Sequence, residues 1–363
     1  MIPRTVAEIT TPALVVDFDA MERNVRKMAE FFAESDCKLR PHFKAHKTPE
    51  IARRQLDAGS CTGLTCATVR EAEIAAEFCD DILIANQVIG SDKCGRVAAI
   101  AGRGIDIKVA VDSPEGVRMI SEAARQAGAE VGVLVDVNVG MPRCGVQPGE
   151  PAAALARQVS DTAGLTLRGA MGYEGHAVGI PDREKREPAT LNAMESLILS
   201  VEAIREAGLP CEIVSAGGTG TFDITGRIHG ITEIQAGSYV LMDTAYSKLD
   251  IPFEQAFWVL GTVLSRPSPG LCVADTGLKS NTEDHGNPGV QGIEGASVLF
   301  LSDEHASITV PPQATIEVGD RIRLTPSHID PTINLHDVMY ALKGDDVVEV
   351  WPISARGHGV PQP

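Results

Sequence analysis

Two histidines and two lysines crowd into the string Pro41-His42-Phe43-Lys44-Ala45-His46-Lys47. A lysine amine condenses with a carbonyl, and a neutral imidazole accepts a proton near neutral pH, so this string sets a nucleophile beside a base. If the segment is extended, the period of two puts His42, Lys44 and His46 on one face. Further along, Arg143 stands in Val139-Gly140-Met141-Pro142-Arg143-Cys144-Gly145, a glycine-flanked turn that admits a ligand close to the backbone. Tyr173-Glu174-Gly175-His176 offers an aromatic ring and an imidazole able to flank a flat cofactor. Ser215-Ala216-Gly217-Gly218-Thr219-Gly220 and Gln235-Ala236-Gly237-Ser238-Tyr239 bring glycines and short hydroxyls, through which backbone N–H groups reach a phosphate. Near the C-terminus, His328-Ile329-Asp330 read as an extended segment turns one nitrogen and one oxygen donor to the same side, as a single divalent ion requires. Two protein ligands leave positions for water or substrate, which suits a catalytic ion. Taken singly, each string also fits a solvated loop or a structural hydrogen bond.

The elements that must position these strings alternate. From residue 13, short apolar runs (ALVVDFD, KLRPHFK, TGLTCAT, DILIANQ, IKVAVDS, EVGVLVDVNV, LRGAMGYEGH, CEIVSAGG, EIQAGSY) are separated by amphipathic stretches such as AMERNVRKMAEFFAES and SPEGVRMISEAARQAG. This is the pattern of parallel strands joined by crossover helices. The number and length of the units predict an α/β chain with a (β/α)8 TIM-type barrel, a doubly wound sheet being the alternative. In a barrel, the strand C-termini are where binding loops converge, and the strings above fall at those ends. After residue 246 the texture changes to β-rich runs broken by Pro, Gly and Asp, among them WVLGTVLSRPSPGLCVADTG and DVVEVWPISARG. The expected organisation is a barrel over 11–245 and a mostly-β domain over 246–363, which residues 1–10 could join.

Composition narrows the function classes. The 363 residues are 44% hydrophobic, enough for a large core and a second domain. A formal net charge of -17 argues against a nucleic-acid or anionic-membrane partner. Eight cysteines without a CxxC pair read as reduced thiols of a cytoplasmic protein. No apolar stretch is long enough for a signal or membrane segment.

In order, PHFKAHK, GMPRCG, YEGH, SAGGTGT, QAGSY and HIDPTINLHD resemble the D-threonine aldolase and D-serine dehydratase group of pyridoxal-phosphate (PLP) enzymes, whose barrel is like that of alanine racemase. The resemblance runs through nearly the whole chain. It implies that Lys44 carries PLP and that Arg143 lies near the cofactor's phenolic oxygen. Gly217, Gly218, Thr219, Gly220, Gly237 and Ser238 correspond to the phosphate cup, with Tyr173 and Tyr239 beside the cofactor. Gln235 stands where a partner of the pyridine nitrogen is expected, although a cationic arginine is usual there. His328 and Asp330 match the aldolase His-x-Asp pair rather than the His-x-Cys of the dehydratases, and an oxygen donor moves preference from zinc towards Mn²⁺ or Mg²⁺. The implied activity is retro-aldol cleavage of a D-β-hydroxy-α-amino acid to glycine and an aldehyde by a homodimer, with His46 and His176 as the two candidate bases. Dehydration of D-serine or 3-hydroxyaspartate, racemisation and cofactor binding without catalysis are the rivals.

Overall fold

The computed structural model describes residues 2–358. Eight parallel strands run in the spatial order Lys38–Leu39, Glu233–Ile234, Ile213–Ala216, Leu165–Gly172, Val131–Asp136, Asp106–Val111, Asp81–Gln87 and Leu64–Cys66. The two ends meet through the bridges Leu39 to Cys61 and His42 to Thr65, where the Thr65 N–H donates to the Pro41 carbonyl at 2.9 Å. The expected (β/α)8 barrel is therefore present. All six residues of Val131–Asp136 are buried, because a parallel strand with helices outside and barrel core inside has no wet face. The helices follow from local sequence: Pro114–Ala127 opens with Ser113 accepting the Gly116 N–H and with proline in its first turn.

At the N-terminal ends of the strands the barrel is filled by charge. Arg40, almost fully buried, donates to Glu233 at 2.8 Å and to Asp81 at 2.5 Å, and Lys108 reaches the same Asp81 oxygen at 2.8 Å.

The second sheet has nine strands, in the main order Ser297–Leu301, Ala306–Thr309, Leu271–Ala274, Phe257–Ser268, Ala13–Asp17, Val338–Lys343 and Asp346–Pro352. Arg321–Thr325 pairs with Phe257–Ser268, and Gly289–Gln291 pairs with Arg321–Thr325. One of its cores gathers Val263, Cys272, Ile308, Ile322 and Leu324. ALVVDFD looks like a first barrel strand, yet Ala13–Asp17 lies antiparallel to Phe257–Ser268 and parallel to Val338–Lys343. Apolar runs of this kind declare a buried strand without declaring which sheet buries it.

Contacts divide the chain accordingly. One compact unit takes the chain up to Lys27, Ala45–Glu50 and Ser238–Arg356; the other takes Met28–Lys44 and Ile51–Gly237. His46, Ser238 and Tyr239 thus fall in the unit of the nine-stranded sheet rather than in a continuous 11–245 barrel.

Candidate active site

Lys44 sits in a one-turn 3-10 helix, Phe43–Ala45, that follows the strand Lys38–Leu39. The alternation expected for His42, Lys44 and His46 is therefore not the geometry: the strand ends at Leu39, before Pro41, and the chain turns. Lys44 is half-buried in the barrel unit. His46 is fully buried in the other unit, where its Nδ1 accepts the Thr48 N–H at 3.2 Å. In its neutral form the ring then carries its proton on Nε2.

The loop after Val131–Asp136 and the loop after Leu165–Gly172 lie against each other. Gly140 has φ 118°, and a Cβ added there would stand 3.1 Å from His176 Cε1, so this position needs glycine for conformation and for space. The two loops carry the exposed His176 and Arg143 and the half-buried Tyr173; the Arg143 guanidinium lies 5.5 Å from the centre of the Tyr173 ring. At the end of the strand below, Asp136 is buried and accepts from Gln87 Nε2 at 2.6 Å. Burial pushes its carboxyl up to about 6, against the Gln87 hydrogen bond and the Arg143 charge, with Asp112 adding to the rise.

Glu174, which carries no spacing signal of its own in the YEGH string, braces the glycine-rich turn. Its buried carboxylate accepts the Gly217 N–H at 3.1 Å, the Thr221 hydroxyl at 2.8 Å and the Thr225 hydroxyl at 2.6 Å. Gly217 has φ 78°, and a Cβ there would meet Ile234 Cδ1 at 2.8 Å. The Gly218 N–H donates to Thr221 Oγ1 at 3.1 Å. Two of the N–H groups expected to face a phosphate are thus spent inside the protein, and Thr219 and Gly220 form the turn that leads into the short helix Phe222–Thr225. Gln235 Nε2 donates to Ser215 Oγ at 2.8 Å, which ties the last two barrel strands together at their ends. Gly237 is the last residue of this stretch of the barrel unit. Ser238 and Tyr239 begin the 3-10 turn Ser238–Val240, both buried, and the Tyr239 ring packs 5.3 Å from Phe253.

His328 and Asp330 do come together, by a different route from the expected one. The segment is helical, not extended: His328 is the N-cap residue of Ile329–Asn334, and Asp330 lies in the first turn. Buried Asp243 holds that start, accepting the N–H groups of Ile329 at 3.0 Å, Ala245 at 3.0 Å and Tyr246 at 2.9 Å. His328 Nε2 and Asp330 Oδ2 are 3.7 Å apart. Adjacent donors each about 2.1 Å from one ion stand roughly 3.0 Å apart in an octahedron and roughly 3.4 Å apart in a tetrahedron, so closure by less than about 1 Å brings the pair onto a divalent metal.

Two residues without a spacing signal join them from a loop 43 and 44 positions earlier. Asp284 Oδ2 lies 2.5 Å from His328 Nδ1, and the His285 ring stacks on that of His328, 4.1 Å centre to centre and inclined by 10°. Asp284, His285 and His328 form a cluster of potential metal ligands among the described residues. Partial burial would raise the Asp284 carboxyl, but the hydrogen bond and charge of His328 outweigh it and hold it below the usual range.

Residues 16–245 match the family model "Alanine racemase, N-terminal domain", and residues 256–342 match that of a serine dehydratase domain. A D-threonine aldolase of Arthrobacter sp. is 39% identical over 357 residues, covering 97% of this chain and 94% of the relative. A 3-hydroxy-D-aspartate aldolase of Paracoccus denitrificans is 34% identical over 363 residues, covering 97% and 94%. The chain belongs to the D-threonine aldolase and 3-hydroxy-D-aspartate aldolase family. Its fold agrees with that of the family: the crystal structure of D-threonine aldolase from Filomicrobium marinum superposes with a TM-score of 0.95 at 37% identity, covering 98% of both chains. In this aldolase and dehydratase family the reaction class is a lyase acting on a small amino acid. Among the described residues no helix is long and apolar enough to cross a membrane.

Proposed function

We propose that the chain is a PLP- and divalent-metal-dependent aldolase that cleaves D-β-hydroxy-α-amino acids, of the D-threonine or D-3-hydroxyaspartate type, to glycine and an aldehyde. The observation that carries this reading is the donor set of His328 and Asp330, a nitrogen and a carboxylate oxygen 3.7 Å apart with no thiol between them. Such a pair suits Mn²⁺ or Mg²⁺ and the polarisation of a substrate hydroxyl. When bound, PLP supplies an electron sink for the bond that breaks.

The chain's own residues supply the rest. Lys44 offers the amine that holds the cofactor and later returns a proton to the glycine product. Arg143, beside Tyr173, offers a cation for the cofactor's phenolic oxygen. Thr219 and Gly220, with Gly237 and Ser238, would receive the phosphate, on a turn that Glu174 keeps rigid through Gly217, Thr221 and Thr225. Gln235 remains the assignment for the pyridine nitrogen, its amide held by Ser215. For the base that takes the hydroxyl proton, His176 is favoured over His46. His176 is exposed on a loop beside Arg143 and Tyr173, while the Nδ1 lone pair of His46 already accepts the Thr48 N–H. The homodimer belongs to the same reading, and sedimentation of a fully active monomer would remove it.

The deciding experiment incubates PLP- and Mn²⁺-loaded enzyme with D- and L-β-hydroxy amino acids and assays glycine and aldehyde against pyruvate and oxaloacetate. Glycine and aldehyde from the D isomers, lost on exhaustive chelation, are expected. Keto acid as the main product would make the chain a dehydratase, and full activity without metal would overturn the metal-assisted mechanism.

A further inference from the structure

The cluster of Asp284, His285 and His328 invites a reading in which all three ligate one ion. The geometry points to a different division of labour, and it rests on the metal reading proposed above. We infer that Asp284 is a positioning residue, which fixes His328 in the tautomer that presents Nε2 to the metal beside Asp330, and that His285 packs on the ring without ligating.

Three observations carry this. First, Asp284 Oδ2 and His328 Nδ1 are 2.5 Å apart. Two separate donors at that spacing, each about 2.1 Å from a shared ion, would subtend only about 70° at the metal and crowd one another, whereas a ring nitrogen and a carboxylate oxygen in direct contact make a hydrogen bond, which the carboxylate accepts. Nδ1 is therefore the protonated, donating nitrogen. Second, the nitrogen left with a free lone pair in that tautomer is Nε2, and Nε2 is the atom 3.7 Å from Asp330 Oδ2. Third, the rings of His285 and His328 are stacked with planes 10° apart. An imidazole binds a metal in its own ring plane, so an ion in the plane of His328 is out of the plane of His285. The His285 Nε2 lies 4.0 Å from Asp284 Oδ2, on the carboxylate that already serves His328. A carboxylate that accepts the second N–H of a ligating histidine fixes its orientation and raises its basicity, and losing one lowers metal affinity about 10–100-fold.

The test uses PLP-loaded holoenzyme and measures Mn²⁺ affinity through the electron paramagnetic resonance of free Mn²⁺, for wild type, Asp284→Asn, His285→Ala and His328→Ala. Asp284→Asn should weaken binding about 10–100-fold. His285→Ala should change it less than about threefold, and His328→Ala should abolish it. Metal-free ¹⁵N-histidine spectra, with His328 assigned from His328→Ala, should show the Nδ1–H tautomer in wild type and a shift towards Nε2–H in Asp284→Asn. Loss of Mn²⁺ in His285→Ala as complete as in His328→Ala, or unchanged affinity and tautomer in Asp284→Asn, would overturn the inference alone. Wild type that takes up no Mn²⁺ would overturn the metal reading itself and this inference with it.

Discussion

Asp136 has a carboxyl pushed up to about 6 by burial, against the Gln87 hydrogen bond and the Arg143 charge. A carboxyl whose pKa is raised on folding binds its proton more tightly in the native state, so its charge weakens the fold. The penalty begins near the ordinary carboxylate value, about pH 4, and is complete above about pH 6. Asp136→Asn keeps an oxygen for Gln87 and removes the charge. It should stabilise the cofactor-free protein by about 2–3 kcal/mol at pH 8, with the gain gone by pH 4. Denaturant unfolding of both proteins at the two pH values checks this, and a gain independent of pH would count against it. At the chemical end, Lys44→Ala should lose the visible absorption of bound PLP together with all turnover. An unchanged spectrum would remove Lys44 from its role. His176→Ala should lower kcat about 10²–10⁴-fold with the PLP spectrum retained, the loss expected for a missing general base.

The glycine-rich turn depends on a residue from a different loop. The single, fully buried carboxylate of Glu174 holds Gly217, Thr221 and Thr225 together. Glu174→Ala strands those donors and should cost about 3 kcal/mol or more, since each buried donor left unmade costs on the order of 1–3 kcal/mol. It should also weaken PLP retention, because the turn proposed to receive the phosphate loses its brace. Thermal unfolding and the PLP dissociation rate read the two effects. From sequence, the strings at the strand ends were legible because barrel strands must deliver their loops to one face. Their local shapes were less so. HFKA and HIDP both read as extended, yet a 3-10 turn forms at Phe43–Ala45 and a helix at Ile329–Asn334. Runs of four to six residues carry too few periods to separate helix from strand, and here tertiary partners such as Asp243 decide between them.

On the scale of the whole molecule, the proposed chemistry and a buried charge cluster lie at opposite ends of the barrel strands. Arg40, Asp81, Glu233 and Lys108 fill the end opposite the strand C-termini. Burial disfavours the Asp81 charge, but Arg40 and Lys108 hold its carboxyl below the usual value, so this contribution is present above the ordinary carboxylate pKa and lost as acid brings the pH down through the lowered one. Arg40→Met leaves Glu233 buried without its cation and should destabilise the fold by about 3–5 kcal/mol. Turnover per folded molecule at low temperature should hardly change, a split that unfolding curves and initial rates on the same sample can verify. A loss of kcat without loss of stability would mean that this end of the barrel takes part in the reaction.

By itself the sequence determined the (β/α)8 class, the run of candidate strings at the strand ends and the His328 and Asp330 pair, because periodicity, glycine placement and short spacings are local properties of the chain. Only the tertiary structure decided that Ala13–Asp17 joins the nine-stranded sheet, that Glu174 rather than water satisfies the glycine-rich turn, and that Asp284 and His285 reach His328. Those contacts bridge from 40 to more than 200 positions, and no local rule ranks one buried strand or one exposed carboxylate above another until the sheets that carry them have chosen their neighbours.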